Sequence, residues 1–174
     1  MILGIDPGVK NIGISVFDGL EIELTTLKSD TNEFGREAMF NLLDRFNNFL
    51  EDNVHCSFTI FMEDYGFGAR HLNMLEVECV GIILNCLHHF KHTSITHFIS
   101  PSTVKKLITG NGKATKTEIK RSLELEFSSL TEQHDNHALD ALGLLLCHKK
   151  YSSGELSSEL TRSITGRKIY LGGK

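Results

Sequence analysis

The sequence predicts an α/β fold: a mixed five-stranded sheet of three antiparallel and two parallel strands, with helices on both faces. Two observations predict it. Apolar residues alternate with a period of two up to about Leu27, and thereafter helical spacing is interrupted by only two short apolar runs. The resulting order, β-β-β-α-β-α-β-α-α-α, is that of a sheet with helices packed on its faces.

Each element follows from a local pattern. Met1 to Asp6 is a short apolar run ending at Pro7-Gly8, and NIGISVFD (11–18) sets Ile12, Ile14 and Val16 on one side and Gly13 and Ser15 on the other. Asp18-Gly19 is a tight-turn dipeptide, and Leu20 to Leu27 alternates again, which completes an antiparallel meander. From Thr31 to Leu50 the period becomes helical, carried by Phe34, Ala38, Leu42, Leu43, Phe46, Phe49 and Leu50. Phe58 to Met62 is continuously apolar before Glu63-Asp64, as expected of a strand covered on both faces. The stretch 72–90 carries an apolar stripe wide enough to face both a sheet and a partner, making it the candidate dimer helix. A strand follows at Ile95 to Ile99. Pro101 opens a short helix through Ile108, capped by Ser100 or Ser102 and broken by Gly110-Asn111-Gly112. Thr115 with Glu118 forms a capping-box pattern, and a last apolar helix spans Asn136 to Lys150.

At 174 residues and 19.5 kDa the chain is the size of one domain, 1–150, followed by a basic tail, 151–174. Its 18 basic and 22 acidic side chains give a net charge of -4, which excludes a generic basic DNA-coating protein. The charge is divided, however. Residues 1–99 hold 6 basic and 14 acidic side chains, and residues 100–174 hold 12 and 8. Cys56, Cys79, Cys86 and Cys147 form no CxxC pair and read as reduced core thiols. No export signal or long apolar run is evident, so a cytoplasmic protein without membrane insertion is expected.

The chemistry-bearing residues stand at strand ends and on the last helix. Asp6 and Glu63 close two predicted strands at their carboxyl ends, where open α/β sheets place ligand crevices. Neighbouring carboxylates there repel unless a cation lies between them. His137 and Asp140 are three apart and share a helix face, whereas Asp135 points elsewhere. Singly, each is as well explained as a turn residue, a solvated strand end or a surface ion pair. Together they occupy the positions at which an RNase H-like sheet assembles a two-metal site.

Four stretches, ILGIDPGVKNIGISVFD (2–18), IFMEDYGFG (60–68), ISPSTVKKLITGNGKATKTEIK (99–120) and HALDALGLLLCH (137–148), resemble in order and spacing the RuvC family of Holliday-junction resolvases. The resemblance implies an RNase H-like fold and a homodimeric endonuclease that resolves branched DNA by paired cuts, on four-way junctions and also forks or flaps. It makes Asp6, Glu63, His137 and Asp140 both the catalytic and the metal-site residues, holding two Mg²⁺ ions with Mn²⁺ as a substitute. His137 departs from the commoner all-carboxylate form. An imidazole there lowers the negative charge and favours Mn²⁺ relative to an all-oxygen site. Asp6 is expected to bridge the metals and Glu63 and Asp140 to hold one each, with His137 either a ligand or a positioner of water. The resemblance also assigns Lys105 and Lys116 to phosphates near the cut, within a basic block that includes Lys106 and Lys113. It makes Tyr65 or Phe67 the aromatic that stacks at the crossover. Compact resolvases of this kind occur in bacteria and in viruses, where the location is the host cytoplasm.

Three rivals share parts of this pattern. The DxGxxxxG opening also begins actin-like kinases, which need a second domain to close over nucleotide. An RNase H-like nuclease of RNA precursors shares the opening but lacks the PSTVKKLITGNG block. A catalytically impaired junction-binding protein is the non-enzymatic alternative, raised by His137. The tail reads either as a DNA-contacting arm or as a frayed terminus.

Overall fold

The computed structural model describes residues 1–30, 35–54, 56–64, 74–89, 94–152 and 168–171. The meander is β1 (Ile2–Asp6), β2 (Asn11–Phe17) and β3 (Ile22–Lys28), followed by α1 (Arg36–Asn53) and β4 (Phe58–Glu63). Then come α2 (Met74–His89), β5 (Ser94–Ile99), α3 (Pro101–Thr109), α4 (Lys116–Thr131), α5 (Asn136–Ser152) and β6 (Lys168–Leu171). The sheet order is β3-β2-β1-β4-β5-β6. The three meander strands are antiparallel, and β1, β4 and β5 are mutually parallel. All five expected strands and five expected helices are present. The tail adds a sixth strand, antiparallel to β5 with Lys168 opposite His97. Four residues are too few to carry a periodic signal, which is why β6 is not legible in the sequence.

Side-chain alternation divides the core between the two faces. Leu3, Ile5, Ile12, Ile14, Ile60 and Met62 point to one side, where α1 and α2 cover them with Met39, Leu42, Phe46 and Ile83. Phe61 and Ile99 pack on the other side with Val104, Leu107, Leu144 and Cys147 of α3 and α5. Caps fix the shorter helices. Ser100 accepts from Thr103 N–H, Gly110 closes α3 at a φ of 80°, and the Thr115–Glu118 capping box is complete. Three cysteines are buried, but Cys56 is exposed, because the apolar run begins only at Phe58, after it. Among the described residues, no helix is long and apolar enough to cross a membrane.

Helix α5 lies unusually close to β1 and β2, and this contact positions the site. Asn11, Gly13, Ser15 and Phe17 form the β2 row that faces it. Ser15 Oγ donates to the Ala141 carbonyl at 2.7 Å. A Cβ on Gly13 would collide with the His137 carbonyl, and one on Gly4 with that of Ala141. The collisions are with backbone, so no rotamer relieves them. Gly13→Ala is therefore expected to lift the end of α5 that carries His137, at a cost of about 1–3 kcal/mol. A melting temperature equal to that of the parent would contradict this contact.

Candidate active site

The register brings the two strand-end carboxylates together. Ile5 and Met62 are paired in the parallel β1–β4 ladder, so Asp6 and Glu63, each one residue on, emerge side by side on the face toward α5. Asp6 is also paired with Gly13 of β2, the residue on which the His137 backbone rests. His137 Nδ1 consequently stands 3.0 Å from Asp6 Oδ2. Asp140, nearly one turn further along, approaches Lys116 Nζ at 3.4 Å. The mouth of a cleft of about 350 Å³ gathers Asp6, Glu63, His137, Asp140, Lys105 and Lys116. The four sequence-predicted site residues thus converge. As they stand, no three of the described His, Cys, Asp or Glu side chains close around a single point as a ready-made metal cage.

Asp135 does point elsewhere, but it stands just before α5 rather than within it, so its direction is set by its bonds to the helix start and the sheet and not by helical phase. It accepts from Ala138 N–H at the start of α5, and bonds Thr26 and Lys28 of β3. Burial pushes its carboxyl up, but the bonds from Thr26, Lys28 and Ala138 outweigh that and hold it at about 2. The first turn of α5 is thereby tied to the sheet directly beside His137.

The electrostatics of the cleft are dominated by carboxylates that want compensation. Burial, then the charges of Asp6 and Asp140, push Glu63 up to about 7, with Lys116 and Lys105 opposing. Burial and Asp6 likewise raise Asp140, partly offset by Lys116. The hydrogen bond to Asp6 raises His137 against the opposing effect of burial.

The basic block divides in the structure. Lys105 and Lys116 wall the cleft, whereas Lys106 and Lys113 are exposed away from it. Tyr65 and Phe67 lie outside the described residues. Two further residues belong to the site. Asn11 Nδ2 lies 3.4 Å from His137 Nε2, and Glu76 of α2 joins Asp6 and Glu63 in lining the cleft. The alternation of NIGISVF already set Asn11 on the row of Gly13 and Ser15. What the sequence did not reveal is that this row faces α5. Glu76 had no sequence signal beyond its place in the first turn of a helix.

A family model for crossover junction endodeoxyribonuclease RuvC matches residues 2–148, a span that contains Asp6, Glu63, His137 and Asp140. The chain belongs to the RuvC family. That family consists of endodeoxyribonucleases, hydrolases of phosphodiester bonds, and the match sets aside the actin-like reading of the first hairpin. The RuvC of Christiangramia forsetii is 26% identical over 170 residues, covering 95% of this chain and 86% of the relative. That of Mycobacterium ulcerans is 28% identical over 153 residues, covering 84% and 82%. Among solved structures, Thermus thermophilus RuvC in complex with a Holliday junction substrate superposes with a TM-score of 0.65 at 20% identity, over 88% of this chain and 95% of that one. The fowlpox virus resolvase, in complex with substrate Holliday junction DNA, gives 0.54 at 13% identity, over 87% and 99%. These two share the RNase H-like fold of this RuvC-family chain.

Proposed function

We propose that this chain is a divalent-metal-dependent endonuclease that resolves four-way DNA junctions, and related forks or flaps, by paired phosphodiester cuts as a homodimer in the cytoplasm. The observation that carries the reading is one cleft at the strand ends, within the RuvC-matched span, in which four carboxylates (Asp6, Glu63, Glu76 and Asp140) and an imidazole face two lysines.

The donor set fits hard divalent cations. Oxygen donors predominate, and burial, then their mutual repulsion, raises Glu63 and Asp140 despite Lys105 and Lys116, so the cleft favours added positive charge. Asp6, Glu63 and Asp140, with His137, would hold Mg²⁺ or Mn²⁺, two per site. When bound, these supply Lewis acidity toward an attacking water and a leaving 3′ oxygen. The chain's own groups do the rest. Asp6 stands between Glu63 and His137 and is the shared carboxylate of the set. Lys105, half-buried on α3, and Lys116, exposed on α4, draw the phosphate toward the carboxylates. Lys116 is placed to exchange its bond to Asp140 for one to phosphate.

Helix α2 supports the dimer. Its inner face buries Cys79, Val80, Ile83, Cys86 and Leu87. Its outer side keeps Met74 66% exposed, and Gly81, exposed with open space where a Cβ would be, leaves room for close approach of a second helix.

A panel of strand-labelled branched DNAs, incubated with and without Mg²⁺ or Mn²⁺, tests the reading. Symmetric paired nicks in a four-way junction are expected only with metal. Cutting confined to RNA, or binding without cutting, would overturn it. Lys105→Ala with Lys116→Ala is expected to reduce the slope of log affinity against log salt by nearly two, since each lost phosphate contact removes about 0.9. An unchanged slope would place both lysines off the DNA.

A further inference from the structure

We propose that Lys168 contacts a backbone phosphate of the junction beside the cleft, and that β6 is the anchor that holds it there. The proposal rests on the nuclease reading in that its partner is DNA.

The direction of β6 decides where its charge falls. The parallel β4–β5 ladder pairs Glu63 with Ile99, so the carboxyl end of β5 is the site end of the sheet. β6 runs antiparallel to β5, with Lys168 opposite His97 and Leu171 opposite Ser94. The chain therefore enters β6 at the site end and leaves it at the far end, and Lys168 is the first residue in. Two strand spacings separate β6 from β4, roughly 10 Å, which is about three base steps along one strand of DNA. Helix α3 starts just after β5 and carries Lys105 to the cleft wall. Lys168 thus extends outward the phosphate track proposed for Lys105.

Charge and anchoring agree with that direction. The sequence 161–174 holds Arg162, Arg167, Lys168 and Lys174 and no acid, and three of these four cations stand at or before the first residue of the strand. A chain terminus frays unless it is tied down. Here β6 is tied to β5, covering an edge whose backbone N–H and C=O groups would otherwise lie open. A register of this kind fixes where a lysine stands, and a cation already in place has less freedom to lose when a phosphate arrives. Lys174 is different. It follows Leu171 by three residues, a reach of at most about 10 Å. The way back along β5 from Ser94 to Ile99 is roughly 17 Å. Its backbone therefore cannot return to the site end.

The test measures binding of a four-way junction by the full chain over a range of salt, without divalent metal so that no cutting intervenes. Lys168→Gln is expected to reduce the slope of log affinity against log salt by about 0.9, the share of one phosphate contact. Lys174→Gln is expected to leave the slope unchanged. Ile169→Pro with Tyr170→Pro unpairs β6 while keeping every charge, and is expected to lose as much slope as Lys168→Gln. A basic tail that draws DNA without a fixed place would lose equally from the two lysine variants and nothing from the proline pair. An unchanged slope in Lys168→Gln, equal losses from Lys168→Gln and Lys174→Gln, or a parental slope in a folded proline variant would each overturn the proposal. If the proline variant does not fold, the two lysine variants decide alone. A parent chain that binds no junction strikes the nuclease reading as a whole, whereas a parent that binds with a slope indifferent to Lys168 strikes only the anchored contact.

Discussion

Asp6→Asn is expected to bind a four-way junction as tightly as the parent and to cut it on the order of 10³-fold more slowly, because several kcal/mol of charge stabilisation are lost at the reacting phosphate. Asp140→Asn should behave alike. The substitution keeps the shape of the side chain and removes one negative charge from the middle of the donor set. Asp6 is the group that both Glu63 and Asp140 feel, and the one to which His137 is bonded. Junction binding is expected to survive because the phosphate contacts proposed above fall to Lys105, Lys116 and the exposed lysines around them, which the substitution leaves in place. Binding isotherms and single-turnover rates on a labelled junction are the measurement. Cutting at the parent rate by either variant would sink the site assignment.

The second large effect falls on stability and has the opposite sign. In the absence of divalent metal, Glu63→Gln is expected to be more stable than the parent above neutral pH. Glu63 has a folded-state pKa of about 7 against an ordinary 4.5. Between those values the native protein holds a proton that the unfolded chain has released. The native state is therefore relatively favoured below pH 4.5, and that advantage is lost as pH rises through about 7. At about 1.4 kcal/mol for each pKa unit, the ionised carboxylate costs the metal-free native state roughly 3 kcal/mol. A glutamine does not ionise. The two proteins should melt together below pH 4.5 and separate progressively above it, by roughly 5–10 °C once Glu63 is fully ionised. Asp135 does not confuse the comparison, because its carboxyl at about 2 contributes stability that is lost only on acidification. Added Mn²⁺ should narrow the gap by stabilising the parent more than the variant. Equal melting curves at pH 8 would mean that Glu63 is not under the electrostatic load assigned to it.

These two predictions concern residues visible in the sequence, for reasons that are local. Asp6 and Glu63 follow apolar runs whose length and composition mark strands, and a strand end is a place that can be named without knowing its neighbours. His137 and Asp140 share a helix face by spacing alone. The capping box at Thr115 and the Ser100–Pro101 start of α3 depend on groups three residues apart, so they too were open to reading. Cys56 was misjudged for the complementary reason: burial is a property of packing, and it stands just before the apolar run of β4 begins.

What lay beyond reading was every relation between distant segments. The sequence established an α/β fold and the order of its elements, and it singled out the four residues proposed here to hold metal, since periodicity and capping act within one turn or one strand. The tertiary structure decided that β1 and β4 are parallel neighbours in the register that sets Asp6 beside Glu63. It decided that Gly4 and Gly13 let α5 settle onto the sheet close enough for His137 to reach Asp6. It brought Asn11 to the other face of that histidine, and it parted Lys105 and Lys116 from the rest of the basic block. These are contacts between residues up to 131 positions apart. Their geometry is fixed by close packing of strand against helix, which leaves no local trace in the chain.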